Sequence, residues 1–441
     1  MANPQFSSGD TAWLLASSAL VLLMTPGLAF FYGGMVRVKS VLNMIMMSFA
    51  TIGVVSILWV LFGYSLAFKG TNPFIGDLSA VGLHGLLKTD SGTIPELVFS
   101  AFQLMFAIIT PALISGAIAD RVKFGAWVLF VAVWTTIVYF PVAHWVFYFN
   151  GGKGGWIGDR MGAFDFAGGT AVHINAGAAG LALALVLGKR VGWRRDPMRP
   201  HNLPLVLLGA GMLWFGWFGF NAGSAVAANA TAGVAFMNTQ VATAAAAMGW
   251  IIVEKIRDGH STTLGVASGA VAGLVAITPA CGTITPMASI LLGLLAGAVC
   301  ALAVGLKYRF GFDDSLDVVG VHMVGGFVGT LFIGLFATSV LTGGAKGLFY
   351  GGGFTQLGKQ AVAAFAVAIY SFVLAYIIGK VIDKTMGFRV SEEDELSGVD
   401  LALHAETAYE LTMATHTGRS FAGATPVGGS MTISEDRTVT Q

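Results

Sequence analysis

Long apolar runs separated by short polar loops dominate this chain. Eleven of them, at 11–33, 42–67, 97–118, 126–148, 166–188, 203–225, 232–254, 264–281, 287–306, 318–341 and 360–380, approach or exceed the roughly 20 mostly apolar residues that a membrane-spanning helix needs. Half-buried strands alternate apolar and polar residues over short stretches. These runs are too long for that and too rich in Ala, Leu and Gly. The pattern predicts an all-α integral membrane protein with eleven transmembrane helices. Residues 1–10 form a short N-terminus, 11–383 the helical domain and 384–441 a tail. The opening MANPQFSSGD has no basic residue, and the first run exceeds a signal-peptide core, so it is expected to be retained as a span.

Charge supports the count. With eleven spans, 18 of the 24 Lys and Arg residues fall in one set of loops and the tail, and the other 6 lie in the opposite set. By the positive-inside rule the N-terminus lies outside and the tail is cytoplasmic, as in a multi-pass plasma (inner) membrane protein. Only 11% of residues are charged, against about 25% in soluble domains. Lipid is therefore the expected surrounding. The net charge of +1 gives no sign of nucleic-acid binding. Cys281 and Cys300 sit in apolar runs and suggest neither a disulfide framework nor a thiolate metal site. No nucleophile, metal or cofactor motif points to an enzyme. The tail begins with the acidic run Glu392–Glu395 and ends in Gly/Ser/Thr-rich sequence expected to be disordered.

The fifth and tenth runs share a pattern. Val172-His173-x-x-x-Gly177-x-x-Gly180 and Val321-His322-x-x-x-Gly326-x-x-Gly329 both match V-H-x-x-x-G-x-x-G. Five spans per half make the second half inverted relative to the first, plus one final helix, and such repeats put their site near the midplane where the halves meet. Ionisable residues within spans are costly and usually line an interior path. If the two imidazoles meet, one ring nitrogen donates to the other, and the pair can pass a proton or hydrogen-bond a small polar solute. The plain alternative is two separate histidines satisfied by carbonyls. A metal site is a third reading, without a Cys or carboxylate at ligand spacing in either run.

Asp165 precedes the fifth run, where its first role is to cap free backbone N–H groups, with negative potential at an outer cation site as a possible addition. Asp313, Asp314 and Asp317 stand in the corresponding place before the tenth run and fit capping or pairing with loop arginines. Aromatics crowd the outer ends of the third, fourth and sixth runs: Phe102 and Phe106; Trp145, Phe147 and Tyr148; and Trp214, Phe215, Trp217, Phe218 and Phe220. An interfacial belt accounts for most of them. The sharper reading is a ring cage for a small cation, with the Ser224 hydroxyl as an acceptor.

Several motifs then resemble the ammonium transporter (Amt/MEP/Rh) family, and its Amt branch more than the Rh proteins. They are Thr25-Pro26-Gly27-Leu28-Ala29-Phe30-Phe31-Tyr32-Gly33-Gly34, Asp165-Phe166-Ala167-Gly168-Gly169 leading to His173-Ile174-Asn175, Gly216-Trp217-Phe218-Gly219-Phe220-Asn221-Ala222-Gly223-Ser224, Thr278-Pro279-Ala280-Cys281-Gly282, and Asp317-Val318-Val319-Gly320-Val321-His322. The resemblance implies a homotrimer with one pore per subunit that carries ammonium, or methylammonium as its analogue, without a cofactor. It implies an outer vestibule at Phe102, Phe106 and Ser224, a gate of Phe106 and Phe220, a pore lined by His173 and His322, and Asp165 as structural support. The family's usual vestibule Trp aligns with Phe147 here, leaving Trp145 and Trp156 as possible substitutes. The stretches Gly387–Val390 and Gly398–Tyr409 resemble the family's ordered tail, which meets a neighbouring subunit and P-II-type regulatory proteins. Ala405 replaces a common Gly in it. A passive ammonia channel and an ammonium sensor acting through the tail are the alternatives.

Overall fold

The computed structural model describes residues 6–409. Among them, ten helices are long and apolar enough to cross a membrane: α1 (Ser8–Met35), α2 (Val41–Phe68), α3 (Glu96–Ile118), α4 (Phe124–Phe147), α5 (Gly169–Leu187), α6 (Leu203–Gly223), α7 (Ala230–Asp258), α9 (Pro286–Phe310), α10 (Val319–Phe336) and α11 (Thr355–Met386). Between α7 and α9 lies the shorter α8, Thr263–Ile277. The run expected at 264–281 is thus helical over only 15 residues, about 22 Å of rise. Pro279 has no N–H to continue a helix, and the buried stretch Thr278–Gly282 proceeds as turns. The expected eleven spans stand as ten helices of spanning length and this shorter one.

Side-chain caps explain where many helices begin. Ser7, Asn202, Asn229, Thr262 and Thr285 accept the N–H three residues on at the starts of α1, α6, α7, α8 and α9. Four helices carry wide π turns: Trp59–Gly63 in α2, Thr135–Tyr139 in α4, Gly169–Ile174 at the start of α5 and Val319–Met323 at the start of α10. Such turns are rare and often mark functional sites. The last two contain His173 and His322.

Helix α5 crosses α10 head to tail, the start of each lying on the body of the other. Glycines allow the crossing, and they do so symmetrically. A Cβ on Gly177 would meet the Met323 nitrogen at 2.5 Å, and one on Gly326 would meet Ile174 Cγ1 at 2.8 Å. Met323 and Ile174 each directly follow a histidine. Each glycine thus seats the residue beside the other half's imidazole.

Each end of the bundle is tied differently. At one end, the Arg190 guanidinium donates to Asp313 Oδ2 and Oδ1 at 2.9 Å each and to Asp120 Oδ2 at 3.0 Å. Arg121 is fully buried and donates to Ser315 and to the Asp313 carbonyl, and burial lowers its guanidinium to about 10. Burial alone would raise the Asp313 carboxyl, but the hydrogen bond from Arg190 and the charges of Arg121 and Arg190 hold it below its ordinary value. The tail docks at this end. Lys123 N donates to the Phe388 carbonyl, Val390 N to Arg121 O, and Val191 N to Glu395 Oε1. Arg389 bridges the Leu187 carbonyl and Glu395. Asp400 accepts Leu42 N and Asn43 N at the start of α2, and the Tyr409 hydroxyl meets His201 Nε2 at 3.1 Å. Ala405 ends the helix Val399–His404 at φ 55°, in the left-handed region. A side chain there costs roughly 1–2 kcal/mol, which gives a glycine its advantage. Helix α11 extends to Met386, past the expected start of the tail. The expected distal disorder falls on residues outside those described.

Candidate functional site

At the opposite end, which Asp165 marks, a cavity of about 520 Å³ opens into the bundle. One stripe of α3 lines it from top to bottom through Glu96, Phe99, Gln103 and Phe106. These residues are three or four apart, so they share a helix face. Phe147, Tyr148, Asp165 and Ser224 complete the lower wall. The Ser224 hydroxyl donates to the Phe220 carbonyl at 2.8 Å, which turns its lone pairs toward other donors. Phe102 is fully buried one layer back, packed on Phe106 at 4.9 Å between ring centroids, and does not line the cavity.

Phe147 stands in the wall where the resemblance aligns it, with Tyr148 beside it. Trp145 and Trp156 do not substitute there. Both turn to a separate apolar groove against α11, where Trp145 Nε1 donates to the Phe74 carbonyl at 2.7 Å. Phe218 stacks on Phe236 at 4.1 Å, away from the cavity.

Phe106 and Phe220 close the floor, with ring centroids 4.3 Å apart and both rings buried. Beneath them lies a void of about 10 Å³, room for about one water molecule, lined mostly by apolar side chains. Its walls include Leu28, Ile109, Leu113, Trp217, His173 and His322. The α3 stripe continues into it as Ile109 and Leu113, and the α6 stripe Leu213-Trp217-Phe220-Ser224 spans void and cavity alike.

The two histidines meet. His322 Nδ1 lies 3.3 Å from His173 Nδ1, with ring planes 21° apart. One Nδ1 donates and the other accepts. In the neutral pair the donor ring is then left with a bare Nε2 acceptor and the other ring with an Nε2–H donor. His173 Nε2 has no hydrogen-bond partner among the described residues. Trp217 stacks on His173 at 5.5 Å and is held by its own indole N–H on Thr278 Oγ1 at 2.8 Å.

The two carboxylates that seat these turns are equivalent. Asp165 accepts from Gly168 N and Gly169 N at 2.7 Å and Thr170 N at 2.8 Å, and takes the Thr170 hydroxyl as well. Asp314 accepts from Val318 N at 3.1 Å and Val319 N at 2.8 Å. Burial pushes its carboxyl up to about 6, with the Asp317 charge adding to the rise. Each stands eight residues before its histidine. That Asp-x7-His spacing was open to sequence reading, as was the α6 stripe that brings in Trp217. Glu96 and Lys69 gave no such signal, because neither lies in a run that marks it as inward-facing. Among the described residues no cluster of three or more His, Cys, Asp or Glu side chains is placed to hold a metal ion.

Inverted halves, a polar-mouthed cavity at one end and a buried imidazole pair beneath it define a multi-pass helical membrane protein. The Ammonium Transporter Family profile matches residues 12–409. An ammonium transporter of Mycobacterium bovis is 57% identical over 434 residues, covering 92% of this chain and 91% of that protein. The crystal structure of Candida albicans Mep2 superposes with a TM-score of 0.83 at 36% identity, covering 92% of this chain and 91% of that one. A solved structure named Sensor Amt Protein gives a TM-score of 0.85 at 28% identity, covering 92% of this chain and all of the other, 100%. The chain belongs to the ammonium transporter family.

Proposed function

We propose that this protein carries ammonium across the cell membrane, binding it as a cation at the Asp165 end and passing it as ammonia beside His173 and His322. The observation that carries this reading is the meeting of two imidazoles from opposite halves at a dry void directly below a phenylalanine pair. Phe106 and Phe147 offer ring faces to a cation, worth about 0.5–2 kcal/mol each, and Ser224 offers an acceptor. Asp165 builds this wall and its carboxylate is occupied by backbone N–H groups. The void admits no hydration shell. A bare charge there costs several kcal/mol or more, whereas ammonia is neutral. Potassium cannot shed its charge, so the same passage rejects it. The Nε2 acceptor and the Nε2–H donor of the pair match ammonia, which both donates and accepts.

The Asp165 end faces outward in this reading, because the opposite mouth is lined by Arg37, Arg190, Arg194, Arg195 and Lys307. A homotrimer is the assembly, and the docked tail, with that basic mouth, is the place for a P-II-type regulator. The test separates this mechanism from passive ammonia conduction. Ser224→Ala and Phe106→Ala are expected to raise the KM for methylammonium uptake about threefold or more, at the scale of one cation–ring contact. Unchanged KM values in both would favour the gas channel. Ammonium-evoked current in proteoliposomes reports whether the released proton follows. A sensor reading draws on the docked tail and on the likeness to Sensor Amt Protein, and predicts signalling that survives loss of uptake.

A further inference from the structure

The cavity holds an ion pair that the path described above does not use. Lys69, just past the end of α2, donates from Nζ to Glu96 Oε1 at 2.6 Å. The Tyr64 hydroxyl donates to the same oxygen at 2.6 Å, and the Thr89 hydroxyl to Oε2. Lys69 Nζ also lies 5.9 Å from the Tyr64 ring centroid. Phe68, Phe99 and Tyr148 line this part of the cavity. The Glu96 side chain is only 9% exposed and that of Lys69 is 28% exposed. Other carboxylates do not duplicate the arrangement. Asp165 is spent on backbone N–H groups, and Asp90 is exposed in the loop between α2 and α3.

A lysine head group is an alkylammonium ion. A site that holds it with a carboxylate oxygen beside an aromatic ring has the chemistry to hold a free ammonium ion in its place. Lys69 is thus a tethered analogue of the proposed solute. It reaches the site on a flexible stem from a position with access to the cavity, so it can be displaced. The site also leads somewhere. From Glu96 the α3 stripe descends through Phe99 and Gln103 to Phe106, ten residues or about 15 Å of helix.

Resting on the transport reading above, we propose that Glu96 is an outer station for small ammonium ions, and that Lys69 competes with the solute for it. Glu96 concentrates ammonium at the head of the α3 stripe. Lys69 sets how much ammonium is needed to enter. The ligand class is cations that carry N–H donors, ammonium and methylammonium. Tetramethylammonium cannot donate to the carboxylate and is not held.

The test is a set of concentration series of methylammonium uptake, at low and high ionic strength, in wild type, Lys69→Gln, Glu96→Gln and the double variant. Charged clefts raise local ion concentration by about tenfold or more. Lys69→Gln is expected to lower KM by about threefold to tenfold, because the carboxylate loses its resident cation. Glu96→Gln raises KM by a similar factor, because Lys69 is left uncompensated and repels the solute. The double variant falls between Glu96→Gln and wild type. The spread narrows at high salt. Lys69→Arg keeps an ion pair and moves KM less than Lys69→Gln does. If protein amount or Vmax moves while KM and its salt dependence stay the same in all variants, the pair is only a clamp joining α2 to α3, and the inference is overturned. Wild-type uptake that ammonium competes away keeps the transport reading in that case. Its absence overturns both.

Discussion

Ammonium uptake by a Gly177→Val variant is expected to fall roughly tenfold or more, and a Gly326→Val variant is expected to match it. The valine Cβ on Gly177 would lie 2.5 Å from the Met323 backbone nitrogen, which no rotamer can relieve. On Gly326 it would lie 2.8 Å from Ile174 Cγ1 and 3.0 Å from the Gly169 carbonyl oxygen. Either change pushes α5 and α10 apart where they cross. Overpacking of this kind costs about 1–3 kcal/mol or more, and it acts on the residues adjoining both histidines. The Nδ1 pair at 3.3 Å has no slack for such a shift. Gly211→Ala is the control, since a Cβ there meets nothing within 4 Å, and it should transport as wild type does. Equal uptake in all three variants would show that the crossing does not position the pair.

Asp165→Ala is expected to reduce uptake to background. Its carboxylate satisfies the N–H groups of Gly168, Gly169 and Thr170 and the Thr170 hydroxyl, and alanine leaves all of them unpaired in a partly buried turn. Losing an ordinary helix cap costs about 0.5–2 kcal/mol, and bonds to a charged acceptor are worth more each. The loss is therefore at the upper end or beyond. It loosens Gly168, held at φ 118°, and the π turn that carries His173. Asp165→Asn keeps one acceptor oxygen and should retain intermediate activity. The readout is Vmax and folded-protein yield, with KM little changed. A rise in KM alone would mean that Asp165 touches the solute.

Much of this was written in the apolar runs and glycines. Their lengths predict the bundle, and the V-H-x-x-x-G-x-x-G pattern puts His173 and His322 at equivalent points of the two halves while leaving a facing pair and two separate histidines both open. Gly177 and Gly326 each stand four residues after their histidine, so the pattern also marks the two glycines found at the crossing. The apolar run 264–281 outlasts helix α8 because Ala280 and Cys281 are as apolar as the helix before them, and burial alone does not distinguish a turn from a helix. In the tail, Glu392–Glu395 looks uniformly acidic. Yet Glu395 is wholly buried against Val191 and Arg389, while Glu392 and Glu393 are exposed, a difference set by docking rather than composition. Lys69 and Glu96 lie 27 residues apart and share no local pattern, so their pairing is visible only in three dimensions.

The most direct measurement of the central claim is uptake of methylammonium against a potassium background in a transport-deficient host, comparing wild type with His173→Ala and His322→Ala at matched amounts of protein. Each substitution removes one imidazole of the pair, with both its nitrogens, and leaves the other ring without its partner. Wild-type uptake indifferent to potassium, with a fall of about tenfold or more in both variants, is the predicted result. Undiminished, equally selective uptake in both would contradict it.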